Sequence, residues 1–189
     1  MSNFVRDLKY NRGTMVRKAE KRDIQAIIEL LHQVNMVHHV IRPDLFKANT
    51  TKYDEQELQA LLLDNSKPIF VYVDEERLQS AAVPPASGSA VVPPAPEIIL
   101  GHAFCQVTEV KDNKLLQDIK TLYIDDICVD EKARGKHVGK ALYEFVCGYA
   151  KSIGCYNITL NVWEGNDAAL SFYRNMGMKV QKTGMETII

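Results

Sequence analysis

Apolar positions along the chain follow two different periods, and these periods predict the order of helices and strands. After residue 22 apolar side chains recur every three or four positions, which predicts an amphipathic helix. Its apolar positions are Ile24, Ile27, Ile28, Leu31 and Val34. The pattern breaks in the segment 38–47, because Pro43 has no backbone donor and biases Arg42 away from helix. Helical spacing resumes at 54–64, so two helices are expected in this half.

Runs of β-branched and aromatic residues predict the strands of one sheet. They fall at residues 14–17, 67–74, 98–110, 120–129, 156–162 and 178–180. Two more helices are expected at 138–153 and 167–176, where Gly154 and Gly177 provide C-terminal stops. The order β-α-α-β-β-β-α-β-α-β predicts an α/β fold with helices on the faces of a mixed sheet.

Two segments lie outside this pattern. Residues 1–13 are polar and aperiodic, and we interpret them as an N-terminal extension of a single domain at 14–189. Residues 79–97 are rich in Pro, Ala and Ser, which predicts a flexible exposed loop between two strands. A tolerated insertion is favoured there, and a functional lid or a polyproline ligand for a partner protein are the alternatives.

Composition argues against several classes of function. Basic and acidic residues nearly balance at a net charge of −1, so no bulk field attracts nucleic acid or an anionic membrane. The first residues lack the apolar run of a signal peptide, and no window approaches the roughly 18 apolar residues of a membrane span. We expect a soluble, cytoplasmic protein. The four cysteines lack zinc-ligand spacing, so no metal is expected; they are Cys105, Cys128, Cys147 and Cys155.

The stretch 129–142 carries the most informative chemistry. A strand runs into a turn rich in glycine and positive charge, and a helix follows. The residues concerned are Lys132, Arg134, Gly135, Lys136, Gly139 and Lys140. Backbone N–H groups at a helix N-terminus lack intrahelical partners and favour anions, and glycines permit a close approach. The pattern predicts a diphosphate site that is neither a P-loop nor a GxGxxG turn.

Residues 134–139 (Arg-Gly-Lys-His-Val-Gly) resemble the acetyl-CoA signature of the GNAT superfamily of N-acetyltransferases, [Q/R]-x-x-G-x-[G/A]. His137 stands where that signature has its middle glycine. A second element, from Asn166 to Tyr173 and then Met176-Gly177-Met178, looks like the family's C-terminal N-x-x-A-x-x-F-Y…x-G-F motif, with Met178 in place of Phe. Acidic pairs in similar places suggest the diamine acetyltransferases within the superfamily.

The resemblance implies a GNAT fold, with a mostly antiparallel sheet of six to seven strands and about four helices. It implies acetyl-CoA as co-substrate, an amine as acceptor and a possible homodimer. It also implies a bulge that splays the strand before the turn, so that backbone groups there bind the pantetheine arm and the developing oxyanion. The implied cofactor contacts are Ile127, Cys128, Val129, Arg134, Gly135, Lys136, His137, Val138, Gly139, Lys140, Asn166 and Tyr173.

The transfer reaction needs a general acid and a general base, and a few side chains are candidates for these roles. The family places Tyr173 beside the sulfur, where a phenol can protonate the leaving thiolate. Asp125, Asp126 and Glu164 are the candidate bases for a protonated amine. Strand alternation puts the two aspartates on opposite faces unless a bulge intervenes. The aspartates could instead end a strand, and Glu164 could be an ordinary turn residue. An acylated Cys128 is a disfavoured alternative to direct transfer.

Other residues receive weaker interpretations. The segment 38–47 is expected on the acceptor side, where Arg42, Asp44 and Phe46 could select an amine. His32, His38 and His39 are expected to be solvated or capping, and His102 to pack with a satisfied nitrogen. Trp163 is expected to bury apolar area near the cofactor groove. A CoA-binding sensor with little turnover is the competing function, and His137 is its only support.

Overall fold

A computed structural model describes residues 14–74 and 97–189. Its elements in chain order are β1 (Thr14–Lys18), α1 (Ile24–Ile41), α2 (Glu55–Leu63), β2 (Ile69–Asp74), β3 (Ile98–Val110), β4 (Ile119–Val129), α3 (Val138–Ser152), β5 (Asn157–Leu160) and α4 (Asp167–Asn175). Short 3₁₀ turns precede α1 (Lys21–Asp23) and follow β4 (Glu131–Ala133). The predicted extension at 1–13 and nearly all of the predicted loop at 79–97 lie outside the described residues.

The described strands form one mixed sheet in the order β1-β2-β3-β4-β5. The first four pair antiparallel, and β5 runs parallel to β4. Parallel pairing requires a crossover, and α3 provides it. The α/β class and the mostly antiparallel sheet are therefore confirmed, with four helices among the described residues.

The predicted count of six to seven strands is wrong for the described chain, which has five. The strand expected at 178–180 is missing, because the backbone there closes the end of α4. Gly177 adopts a left-handed φ of 86°, and the Met178 N–H donates to the Tyr173 carbonyl at 3.0 Å. Farther on, Glu186 forms an ion pair with Arg42 at 2.8 Å. The chain therefore turns toward the end of α1 instead of extending the sheet.

The sheet separates two apolar cores. One lies under α1 and α2 and contains Ile27, Leu31, Leu58, Val71 and Phe104. The other lies under α3 and contains Phe70, Ala103, Leu122, Leu142 and Val146. Helix α1 continues to Ile41, past the predicted break at residue 38, because the restriction from Pro43 reaches only Arg42. None of the described helices is long and apolar enough to cross a membrane.

Gly101 sets how closely β3, β4 and α3 approach. It pairs with Val129, and a Cβ built on it would lie 2.7 Å from the Cys128 carbonyl oxygen and 3.1 Å from the Val138 and Leu142 side chains. Backbone cannot move aside as a flexible side chain can. Gly101 therefore allows the end of β4 to lie directly against the first turn of α3.

We expect Gly101→Ala to lower the free energy of unfolding by about 1–3 kcal/mol, the usual cost of overpacking a filled core. Urea unfolding followed by circular dichroism measures it. Gly184→Ala is the matched control, since no atom lies within 4 Å of its added Cβ. The two variants losing the same stability would contradict this role for Gly101.

Candidate functional site

Strand β4 contains a bulge at Asp125. Across from it, Phe104 pairs with Asp126 and Cys105 with Ile124, so Asp125 has no residue opposite it in β3. Ile124 packs in the core under α3, whereas Cys128 packs in the core under α1. Residues four apart in a regular strand share a face, so the bulge reverses the alternation. The expected bulge is confirmed, and the two aspartates need not lie on opposite faces.

The edge of β4 that faces β5 is paired along only part of its length. The ladder between the strands runs from Thr121 opposite Asn157 to Ile124 opposite Leu160 and ends there. No described strand pairs with that edge over residues 125–129. Alternate backbone groups of this stretch therefore face away from β3 and remain available as donors and acceptors.

The turn after β4 is fixed by α1. The Gln33 side-chain amide donates to Asp130 at 3.1 Å, and its oxygen accepts from the Glu131 N–H at 3.1 Å. Asp130 also accepts from the Lys132 N–H at 2.8 Å. These bonds hold the turn before the chain reaches Gly135, which has a left-handed φ of 81° and open space where a Cβ would lie.

Helix α3 begins without a side-chain cap. Its N-cap is His137, in the left-handed conformation with φ 62°, and the imidazole makes no capping hydrogen bond. The first N–H groups of the helix therefore lack intrahelical partners and point along the axis. Arg134 and Lys140 are largely exposed, and their ion pairs with Glu131 and Glu144 are long, at 3.7 and 3.8 Å. Backbone donors and exposed positive charges at one helix end fit a diphosphate group.

Asp125 is engaged by a cation. Its carboxylate forms an ion pair at 2.5 Å with the ammonium of Lys52, which lies in the segment between α1 and α2. Burial lowers the pKa of Lys52, but the hydrogen bond and the charge of Asp125 outweigh it, so the Lys52 pKa is raised overall. The ammonium therefore stays charged and neutralises Asp125 at neutral pH.

Asp126 faces a different set of groups. Its Oδ2 lies 3.2 Å from Nε2 of His102, which is fully buried, and its own side chain is 12% exposed. His38, at the end of α1, also senses Asp126: burial lowers the pKa of that imidazole, and the Asp126 carboxylate opposes the shift. The His38 ring packs on Phe46 at 5.0 Å.

Tyr173 lies on α4, the helix that follows β5. The centroid of its ring lies 5.1 Å from that of Phe172 and 6.3 Å from that of Tyr143. Burial, and then the negative charge of Asp126, raise the pKa of the Tyr173 phenol well above its ordinary value. The phenol therefore keeps its proton throughout the neutral range. The structure brings Tyr173 and Asp126 near enough for electrostatic coupling.

Three predicted site residues have other surroundings. Asn166 is the N-cap of α4, and its side-chain oxygen accepts from the Ala169 N–H at 3.2 Å. Glu164 is exposed in the turn after β5, and its side chain forms no ion pair within residues 14–74 and 97–189. Cys128 is buried and donates to the Leu30 carbonyl at 3.3 Å. Burial raises the pKa of the Cys128 thiol to about 12, so it is a poor nucleophile.

The segment after α1 lies beside Trp163 at the sheet edge. Phe46 meets the Trp163 ring edge-on at 5.3 Å, and the Arg42 guanidinium lies 5.9 Å above it. Trp163 is 41% exposed, so it buries only part of its surface, and the described neighbours of its ring are Phe46 and Arg42. The loop brings Arg42, Asp44 and Phe46 to one place, as an acceptor-side surface would require.

Sequence reasoning missed three groups near the aspartates. Lys52 is one of many lysines, and only the fold places it against Asp125. The sequence predicts a solvated or capping role for His38, but α1 continues past it and brings the imidazole near enough to sense the Asp126 charge. His102 was expected to have a satisfied nitrogen, and Nε2 has its partner while buried Nδ1 has none in the described chain. A polar residue within an otherwise apolar strand was the available signal.

Comparison with known proteins extends these observations. The sequence profile of the acetyltransferase (GNAT) family matches residues 34–178. Glucosamine 6-phosphate N-acetyltransferase of Arabidopsis thaliana is 39% identical over 59 residues, which are 31% of this chain and 38% of that protein. The chain thus aligns with less than half of that curated relative.

Solved structures match more of the chain. The BH1408 protein of Bacillus halodurans, a tetramutant, has a TM-score of 0.78 and 27% identity, covering 93% of this chain and 99% of that one. The aminoglycoside acetyltransferase meta-AAC0020, from an uncultured soil metagenomic sample, has a TM-score of 0.64 and 18% identity, covering 96% and 99%; this likeness concerns the fold. Because the family profile covers most of the sequence, the chain belongs to the GNAT family of acetyltransferases.

Proposed function

We propose that this protein transfers the acetyl group of acetyl-CoA directly to a primary amine of a small molecule or peptide. One observation carries the proposal: the unpaired edge of β4 leads from the bulge at Asp125 into the uncapped N-terminus of α3. An extended amide-containing arm ending in a diphosphate matches that surface at both ends. Family membership supports acetyl-CoA as the donor.

The cofactor is assigned to the turn and the strand before it. The backbone of residues 135–140 and the charges of Arg134, Lys136 and Lys140 would hold the phosphates. The free backbone groups of Ile127, Cys128 and Val129 would pair with the pantetheine amides. Asn166 has its oxygen committed to the helix cap, so its amide nitrogen is the part left for the arm. Once bound, acetyl-CoA supplies the activated thioester.

Asp126 is our first choice as general base. A simple alkylamine has a pKa near that of lysine, about 10.4, so it arrives protonated and must lose a proton before attack. Asp125 is neutralised by Lys52, and Glu164 is exposed beyond β5. Among the described residues no lysine or arginine lies at hydrogen-bond distance from Asp126, whose neighbour is the His102 imidazole, and Asp126 lies on the open edge of β4. Its carboxylate can take the proton directly or through one water.

Tyr173 is our choice as general acid. Its raised pKa keeps it protonated, but it also makes the phenol a weaker acid than the thiol that leaves. Proton delivery would therefore accompany C–S cleavage instead of preceding it, and the second proton that the nitrogen loses as the amide forms would restore the phenol. The buried, protonated Cys128 favours direct transfer over an acyl-enzyme.

The acceptor is proposed to be a small amine. The Arabidopsis relative is named for an amino sugar phosphate, glucosamine 6-phosphate, which supports including amino sugars among the acceptors to test. Arg42 already pairs with Asp44 and Glu186, at 2.7 and 2.8 Å. Lys52 is paired with Asp125 itself, so it lies nearer the candidate bases than Arg42 does. The competing sensor function has no supporting observation, since His137 adopts the left-handed conformation that a glycine there would use.

The choice between the aspartates is testable by thiol release from acetyl-CoA with a panel of polyamines, amino sugars, amino acids and peptides. With the best acceptor, Asp126→Asn should lower kcat/KM by about 100-fold or more, because the base is lost. The matched variant Asp125→Asn should lose less than about tenfold. The reverse ranking would reassign the base, and no acceptor at all would contradict the proposed activity.

Tyr173→Phe should lower kcat by about 10- to 100-fold, the lower range for a positioned proton donor, because this phenol is a weak acid. The dissociation constant for CoA, measured by calorimetry, should stay within about threefold. A Tyr173→Phe enzyme with unchanged kcat would remove the tyrosine from the proposed chemistry.

His137→Gly should leave the free energy of unfolding within about 1 kcal/mol of wild type, since relief of left-handed strain and added chain entropy oppose each other. His137→Val should cost about 1–3 kcal/mol, because a β-branched residue tolerates this φ poorly. Denaturant unfolding measures both. A His137→Val protein as stable as wild type would show that the turn does not need this conformation.

A further inference from the structure

His102 is the one histidine among the described residues that is entirely buried, and its surroundings are apolar. It lies in β3, paired with Val71 on one side and Cys128 on the other. The Phe104 ring meets it edge-on at 5.0 Å. Burying an imidazole among such neighbours is unfavourable unless its nitrogens are hydrogen-bonded.

Only one nitrogen of His102 has a described partner. Nε2 lies 3.2 Å from Oδ2 of Asp126, whereas Nδ1 is buried with no hydrogen bond in the described chain. In an apolar core, a buried N–H without an acceptor is less favourable than a buried bare nitrogen without a donor. The arrangement therefore favours hydrogen on Nε2, pointing at the carboxylate, with a bare Nδ1.

We propose that His102 is a positioning residue that donates its Nε2 hydrogen to Oδ2 of Asp126 and leaves Oδ1 as the oxygen that accepts the amine proton. The inference rests on the proposed function, because it needs Asp126 as the base. The bulge makes the arrangement possible, since it brings Asp126 onto the face of β4 that His102 and Phe104 share in β3.

The proton balance is simple. The substrate ammonium gives its proton to Oδ1, so the amine becomes neutral and the carboxylate becomes a carboxylic acid. The hydrogen on Nε2 stays on His102 throughout. Nδ1 has no described partner that could take a proton onward, so the proton leaves Asp126 to solvent after turnover.

Other charged and titratable groups also face Asp126 and contribute to its pH dependence. They are His38 from α1, Lys52 from the segment before α2, Tyr173 from α4, and Asp125 and Cys128 from β4 itself. His102 differs from these groups because it makes a direct hydrogen bond to Asp126. Replacing it with an apolar residue should therefore change activity, whereas replacing it with glutamine, whose amide can donate, should not.

The test compares His102→Leu with His102→Gln, whose side-chain amide nitrogen can occupy the place of Nε2. In His102→Leu we expect kcat/KM at pH 7 to fall about tenfold or more, and the acid limb of its pH profile to move about one unit higher, because a donor to the charged carboxylate is lost. In His102→Gln the acid limb should stay in place, with kcat/KM within about threefold of wild type. Both variants should keep the wild-type affinity for CoA.

A His102→Leu enzyme with wild-type CoA affinity and an unchanged pH profile would overturn the inference. So would a His102→Gln enzyme as impaired as His102→Leu while binding CoA normally. The control for folding is CoA binding together with circular dichroism.

A second measurement uses the unmodified protein and does not depend on enzymatic activity. Long-range ¹H–¹⁵N spectra of the ¹⁵N-histidine-labelled full chain at pH 7 report which ring nitrogen of His102 carries hydrogen. We expect hydrogen on Nε2. A bare Nε2 would overturn the inference, because Asp126 would then have to supply the hydrogen of the 3.2 Å contact. If no amine is acetylated, the proposed function fails while this spectrum still decides the hydrogen bond.

Discussion

The site depends on the single extra residue in β4. Because Asp125 has no residue opposite it, the strand changes the face to which its side chains point, and the ladder to β5 stops at Ile124. A regular strand would keep pairing along both edges and would bury its backbone groups in the sheet. The strand instead has an open edge after the bulge, and Asp126 lies near His102 and the end of α1. The proposed binding surface and the proposed proton acceptor thus meet at this bulge.

The rest of the fold holds that irregularity in place. On one side, Gln33 of α1 fixes the turn after β4 through two hydrogen bonds, and Cys128 donates to the Leu30 carbonyl. On the other side, Gly101 lets the first turn of α3 lie against the end of the strand. The helix end that we propose as the diphosphate site is therefore positioned by hydrogen bonds and core packing, whereas its basic side chains are exposed and form only long ion pairs.

Sequence reasoning predicted well what local chemistry determines. The helix expected at 54–64, the strand Ile98–Val110 and the basic turn before α3 each follow from nearby residues. It failed where the outcome depends on distant chain. Lys52 comes from the segment between α1 and α2 and His38 from the end of α1, and only the packing of these distant elements brings them near the aspartates. The strand expected at 178–180 is a separate miss, because the Met178 N–H closes the end of α4 instead. The bulge follows from the family resemblance and not from the residue pattern. Two adjacent aspartates in a strand do not show in the alternation of apolar and polar residues where an extra residue is inserted.

The central claim is that the free edge of β4 and the end of α3 bind one elongated cofactor together. Hydrogen–deuterium exchange of the full chain, with and without saturating CoA, tests it most directly, because it reports on backbone N–H groups. We predict slower exchange for amides across 127–140, in the strand and the turn alike, with α2 unchanged as an internal reference. Unchanged exchange throughout 127–140 at saturating CoA, or protection confined to some other surface, would contradict it.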